Sequence, residues 1–136
     1  MKVADILIKH DVKPSVQRVA IMQYMLTHAT HPTIEEVYRD LVVNMPTLSK
    51  TTVYNTLKLF EEQGIVQSLT IDESEIRYDG DISDHIHFKC EKCGKVYDLR
   101  FDDVQGSEAV LKTEIEGFRI NRVNVFYRGI CKYCNC

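Results

Sequence analysis

The chain has 136 residues, enough for one domain of ordinary size or two small ones sharing an interface. Charged residues make up 27% and hydrophobic residues 44%, the balance of a soluble globular chain and not of a disordered tail. The net charge of −3, from 17 basic and 20 acidic residues, argues against a purely electrostatic nucleic-acid binder.

No stretch approaches the roughly 18 apolar residues of a membrane span. The N-terminus, MKVADILIKHDVK, is broken by Asp5, Lys9 and Asp11, so no signal peptide is expected and a cytoplasmic location follows. The two halves differ. Residues 1–70 hold seven basic and seven acidic residues, whereas the remainder holds ten and thirteen and accounts for the whole net charge. All five cysteines, 90, 93, 131, 134 and 136, fall in the second half, and Pro14, Pro32 and Pro46 all fall in the first. Two functional units are expected.

In the first half, Ser15 caps a helix running to about His28, with Val19, Met22 and Leu26 on one face. Thr33 and Glu36 form a T-x-x-E capping box for a second helix that ends before Pro46. Ser49 caps a third, Lys50 to Gln63, with Val53, Leu57 and Phe60 as its buried stripe and Gly64 as its stop. Two β-prone runs follow, Ile65–Ile71 and Ile76–Asp79, around Asp72-Glu73-Ser74-Glu75. Three helices and a hairpin in this order describe a winged helix, whose last helix enters the major groove of DNA. That helix carries Lys50 and Lys58 and no acid before Glu61, and Ser49, Thr51, Thr52, Tyr54 and Asn55 offer hydrogen bonds to phosphates and base edges. A solvated polar face on a helical bundle has the same periodicity; the adjoining hairpin favours DNA.

Residues 80–83 read as a hinge. Beyond it, His85–Cys90 and Lys95–Phe101 read as strands around a Cys93-Gly94 turn, Asp103–Ile115 as a helix, and Phe118–Tyr127 as one further strand. Cys90-x-x-Cys93 and Cys131-x-x-Cys134 together have the spacing of a closed four-cysteine zinc site. Either pair alone could be a redox disulfide, but no βαβ context surrounds them, and a pair of pairs favours metal. Cys136 is a fifth thiol with no obvious partner. His85-x-His87 places two imidazoles on one strand face, with Asp79, Asp84 and Asp98 close in sequence. An unbroken strand would turn Cys90 to the opposite face, so two separate metal sites are expected.

These residues also carry a resemblance. His31-Pro32-Thr33, Thr52-Val53-Tyr54-Asn55-Thr56-Leu57, Gly64-Ile65-Val66, Asp84-His85-Ile86-His87 and Cys90-Glu91-Lys92-Cys93-Gly94-Lys95 together resemble the ferric uptake regulator superfamily of bacterial metal-dependent repressors. The likeness runs from Val12 to Cys134, and within the superfamily it is greatest to the peroxide-stress repressor (PerR) branch. It implies an α+β chain: a winged helix-turn-helix DNA-binding domain over residues 1–79, the hinge, and an α/β dimerisation and metal-binding domain over 84–136. The resemblance further implies a homodimer on double-stranded operator DNA; on such DNA the basic side chains Lys13, Arg18, Lys50 and Lys58 are expected to neutralise phosphates.

The branch's regulatory iron or manganese ligands fall on His31, Asp79, His85, His87 and Asp98, each of the expected type. An additional metal site of many relatives falls on Asp84, Ile86, Gln105 and Val123, where only Asp84 can ligate, so that site is expected to be absent. The chain departs from the branch at Lys13, where Arg is common, and at Val16, where Pro is usual. One ion held by all five regulatory ligands would tie the winged helix to the dimer core across the hinge. Closing such a hinge needs roughly 5.5 kcal/mol of differential binding. The implied activity is repression, with peroxide sensed through oxidation of His31 or His85. A sensor of metal availability alone is the alternative. An enzyme built on Cys136 or the strand histidines is disfavoured, because five protein ligands leave little room for substrate, and a zinc-stapled contact module would leave the histidines unused.

Overall fold

The structure, a computed structural model, describes residues 2–70, 75–81, 85–101, 113–121 and 123–135. Most of the expected wing turn, the end of the expected hinge, Asp84, Gln105, Cys136 and nearly all of the expected 103–115 helix lie outside these residues. The chain divides into two compact units, residues 1–82 and 83–136.

The first unit holds α1 (Val3–Lys9), α2 (Val16–Thr27), α3 (Ile34–Val42), α4 (Lys50–Glu62) and a hairpin of β1 (Gln67–Leu69) and β2 (Arg77–Asp79). Helix α1 is an addition to the expected three. Its N-cap, Lys2, provides no side-chain hydrogen bond, so no cap marks it in the sequence, yet it buries Leu7 completely. The other three helices start where their caps place them. Ser15, Thr33 and Ser49 accept hydrogen bonds from the N–H groups of Arg18, Glu36 and Thr52. The buried face of α2 differs from the expected one: Ile21, Met22, Tyr24 and Met25 are inside, Val19 is half-buried and Leu26 is exposed. Apolar residues surround this helix, so periodicity alone does not select its inner face.

Helix α4 buries Val53, Leu57 and Phe60 completely, worth roughly 1.5–3 kcal/mol each. It ends in a Schellman motif. Ile65 N–H donates to Phe60 O, Gly64 N–H donates to Glu61 O, and Gly64 takes the required positive φ of 75°. The hairpin pairs Gln67 with Asp79 and Leu69 with Arg77. Its outer edge is laced to the segment before α3: Tyr78 N–H donates to Pro32 O at 2.9 Å, and Thr33 bridges to Arg77. This is a winged helix whose hairpin edge is met by Pro32 and Thr33 through an isolated bridge.

The second unit is built on β3 (Ile86–Cys90), β4 (Val96–Leu99) and β7 (Val125–Gly129), in the order β4-β3-β7. Strand β3 runs antiparallel to β4 and parallel to β7. The segment expected as one strand, Phe118–Tyr127, is two pieces. Strand β6 (Phe118–Arg119) forms a short hairpin with β5 (Glu114–Ile115), while β7 starts only at Val125. Glu116 and Gly117 both have positive φ, the primed turn that matches strand twist, and this reversal captures residues 118–119. Strand β5 also replaces the end of the expected 103–115 helix.

Candidate metal centres and the face of helix α4

Both C-x-x-C pairs sit in tight turns. Gly94 N–H donates to Cys90 O at 2.9 Å, and Cys134 N–H donates to Cys131 O at 3.0 Å. The parallel β3–β7 pairing brings the turns together, with Cys90 opposite Gly129 and Glu91 N–H donating to Gly129 O at 2.7 Å. The four sulfurs all lie within 4.8 Å of one another, and Cys93 Sγ is 3.9 Å from Cys131 Sγ. A tetrahedral zinc with Zn–S of about 2.3 Å requires sulfurs about 3.8 Å apart. The donor set fits zinc.

The electrostatics prepare the thiolates. Cys93 and Cys131 N–H groups donate to Cys90 Sγ, each at 3.4 Å, and hold that thiol down at about 6. Burial raises the Cys131 thiol, but hydrogen bonds from the Tyr97 hydroxyl and the Cys134 N–H outweigh it and the net shift is downward. The Cys134 thiol, donating to Cys131, is pushed up to about 12. Without metal the protons are thus held unequally by Cys90, Cys131 and Cys134.

The second unit also presents an imidazole pair. His87 lies opposite Asp98 across β3–β4, and His85, two residues earlier, shares its face. Asp98 Oδ1 is 3.2 Å from His85 Nε2 and 3.7 Å from His87 Nε2, with both imidazoles buried. Cys90 alternates to the other face of β3, so thiolates and imidazoles are kept apart.

The first unit has a pair of its own. His31 Nε2 is 3.4 Å from Asp79 Oδ2, and both residues are buried. The His31–Asp79 and His87–Asp98 separations, 3.4 and 3.7 Å, exceed a charge-assisted hydrogen bond of about 2.7–2.9 Å, and the 3.2 Å of His85–Asp98 exceeds it by less. They suit neighbouring ligands of a six-coordinate ion, which at metal–ligand distances of roughly 2.1 Å stand about 3 Å apart. The chemistry of both sets, nitrogen and oxygen without sulfur, suits Fe(II) or Mn(II).

On α4, Thr51, Tyr54, Asn55 and Lys58 are all exposed at i, i+3, i+4 and i+7, opposite the buried stripe. Ser49 and Thr52 are engaged at the cap, their hydroxyls 2.9 Å apart. Lys50 Nζ donates to Glu35 Oε1 of α3 at 2.6 Å. Arg18 donates to Lys13 O at 2.9 Å, and with Ser15, Gln17, Thr52 and Asn55 it lines a polar depression between α2 and α4.

Residues 9–128 match the Ferric uptake regulator family. The chain belongs to the ferric uptake regulator family. It is 36% identical over 126 residues to the "Peroxide-responsive repressor PerR" of Staphylococcus epidermidis, covering 93% of this chain and 83% of that one. It is 35% identical over 124 residues to the "Peroxide operon regulator" of Bacillus subtilis, covering 91% and 85%. Among solved structures, the Campylobacter jejuni peroxide stress regulator superposes with a TM-score of 0.75 at 32% identity, covering 98% of this chain and 100% of that one.

As a member of the ferric uptake regulator family, the protein is a metal-dependent transcriptional regulator and not an enzyme. No described helix is long and apolar enough to cross a membrane. Two residues of this family member escaped the sequence reading. Tyr97, whose hydroxyl reaches Cys131, sits one position before Asp98 and gives no local signal. Arg77 alternates with Asp79 on β2 and shares its face, a period-two signal that could have drawn attention to it.

Proposed function

We propose that this protein is a cytoplasmic, homodimeric repressor that binds operator DNA through α4 and releases it when peroxide oxidises a ligand histidine. Cys90, Cys93, Cys131 and Cys134 hold a structural zinc. His31, Asp79, His85, His87 and Asp98 together hold one regulatory Fe(II) or Mn(II). The reading rests on one observation: each unit carries buried imidazole with a carboxylate at ligand spacing and no sulfur, Asp79 buried and Asp98 more open, on a chain whose described cysteines are gathered elsewhere. Ions with a ligand in each unit favour the closed form by their differential affinity for it. The likeness to peroxide-responsive repressors supports the sensing step.

Iron held by these residues would relay single electrons, so that peroxide's O–O bond is cleaved with both electrons drawn in net from a ring C–H of the histidine, which becomes C–OH. His31 or His85 gains one oxygen on a ring carbon, and the second peroxide oxygen leaves as water. The altered ring is a poorer ligand, so the units are no longer held and repression ends. Manganese supports repression without this loss. The test is peptide mass spectrometry and operator binding after peroxide treatment of iron-loaded and manganese-loaded protein. A one-oxygen gain on His31 or His85, confined to the iron form and accompanied by release of DNA, is expected. Unmodified histidines and retained DNA binding in the iron form would assign the protein to sensing of metal availability instead.

A further inference from the structure

His31 has a φ of 56°, a left-handed conformation that residues other than glycine seldom adopt, and it directly precedes Pro32. Such a backbone persists only where its surroundings over-determine it. Here the surroundings are β2. Arg77 Nη1 donates to the His31 carbonyl at 3.1 Å, Tyr78 N–H donates to the next carbonyl, and Thr33 bridges to Arg77. The same guanidinium nitrogen lies 3.8 Å from Glu36 Oε1, and Glu36 belongs to the capping box of α3. The Arg77 side chain is only 16% exposed. Two residues along the strand, on the same face, Asp79 meets the His31 ring.

We infer that Arg77 is a positioning residue for the regulatory metal: its guanidinium fixes the His31 main chain in the left-handed turn that aims the imidazole at Asp79. It also fastens that turn to the start of α3. The inference rests on the proposed reading of His31 and Asp79 as ligands. A plain ion pair with Glu36 does not account for the arrangement, because the shorter and better-formed contact goes to the carbonyl of His31 itself. Groups that orient a ligand from behind commonly contribute 10- to 100-fold to metal affinity.

Titration of zinc-loaded protein with Mn(II), followed by electron paramagnetic resonance, tests this. Arg77→Met keeps the apolar stem and is expected to weaken Mn(II) binding at least about tenfold. Arg77→Lys, which keeps the charge and one donor, should fall between it and the unmodified protein. The rise in thermal midpoint on adding Mn(II) should shrink in the same order, a change that a merely structural role would not produce. Asp79→Asn serves as the reference. If Asp79→Asn binds Mn(II) normally, the ligand assignment itself fails. If Asp79→Asn loses Mn(II) while a folded Arg77→Met binds within twofold of the unmodified protein, the positioning role alone is overturned. Should Arg77→Met not fold, Arg77→Lys decides, and unchanged Mn(II) affinity there overturns the role.

Discussion

Cys93 Sγ and Cys131 Sγ stand 3.9 Å apart although 37 residues separate them in the chain. The parallel pairing of β3 with β7 is what joins them, so a metal bridging the two turns also staples that pairing. Because a site of this kind contributes folding energy directly, Cys93→Ser or Cys131→Ser is expected to lose zinc and to unfold the second unit at much lower temperature. Calorimetry paired with metal analysis checks this, and a stable zinc-free variant would count against the staple.

Zinc uptake should release fewer than four protons at pH 7. Cys90, held at about 6 by the N–H groups of Cys93 and Cys131, is already largely ionised there, while Cys134 at about 12 still carries its proton. Lowering the pH through 6 protonates Cys90, so the proton count should rise toward four as the pH falls. A pH-indicator titration of the reduced, metal-free protein reads this number at each pH. A count of four at pH 7 would show that the backbone donors do not hold Cys90 as argued.

Tyr24 and Asp40 make a further contact that sequence patterns did not reveal, with the hydroxyl donating to Oδ2 at 2.6 Å. The Tyr24 hydroxyl, followed by Arg39, holds the Asp40 carboxyl below its ordinary value of 3.8. A depressed carboxylate stabilises the fold above its unfolded pKa, and the effect is lost as pH falls through the folded value. Tyr24→Phe should therefore lower the thermal midpoint at neutral pH by roughly a few degrees. The difference should close below about pH 4. Parallel melting curves from pH 7 to 3 would show whether the gap closes.

The legible and illegible features divide along a physical line. Caps at Ser15, Thr33 and Ser49, the Gly64 stop and the two C-x-x-C turns are local chemistry, and all are where the residues place them. Helix α1 was illegible because it is short and lacks a side-chain cap, and the inner face of α2 because apolar residues surround that helix. That β6 ends at Arg119 and β7 starts only at Val125 was hidden because alternation continues along the sequence, whereas the partner strands change from β5 to β3. His31 carried no local signal of its own. Its burial, left-handed backbone and contact with Asp79 arise from pairing with β2, far along the chain, and only the family resemblance singled it out.

The exposed row on α4 gives a prediction about DNA. Tyr54→Ala with Asn55→Ala removes two side chains from the middle of the row and should cost about 1–3 kcal/mol per lost base contact on operator DNA. Lys58→Ala should instead weaken specific and nonspecific DNA alike and flatten the salt dependence. Fluorescence anisotropy across a salt series separates the two. Unchanged operator affinity in the double variant would exclude this face as the reader.

Lys50 opens α4, yet its ammonium is held by Glu35 of α3 at 2.6 Å, with both side chains more than half exposed. The pair raises the Lys50 pKa, first through the hydrogen bond and then through the charge of Glu35, so the lysine stays cationic at neutral pH. An exposed ion pair adds little to stability, because solvent screens it and two long side chains must be ordered. Its larger consequence is competition: an ammonium neutralised by a carboxylate is less available to a DNA phosphate. Glu35→Gln should therefore leave the thermal midpoint within roughly 2 °C while tightening DNA binding at low salt. One additional neutralised phosphate steepens the dependence of log affinity on log salt by about 0.9. The comparison needs Lys50→Ala as its partner, since that variant should weaken binding and abolish the gain from Glu35→Gln in the double substitution. If Glu35→Gln tightens binding equally in the Lys50→Ala background, the gain comes from general charge removal and not from release of Lys50.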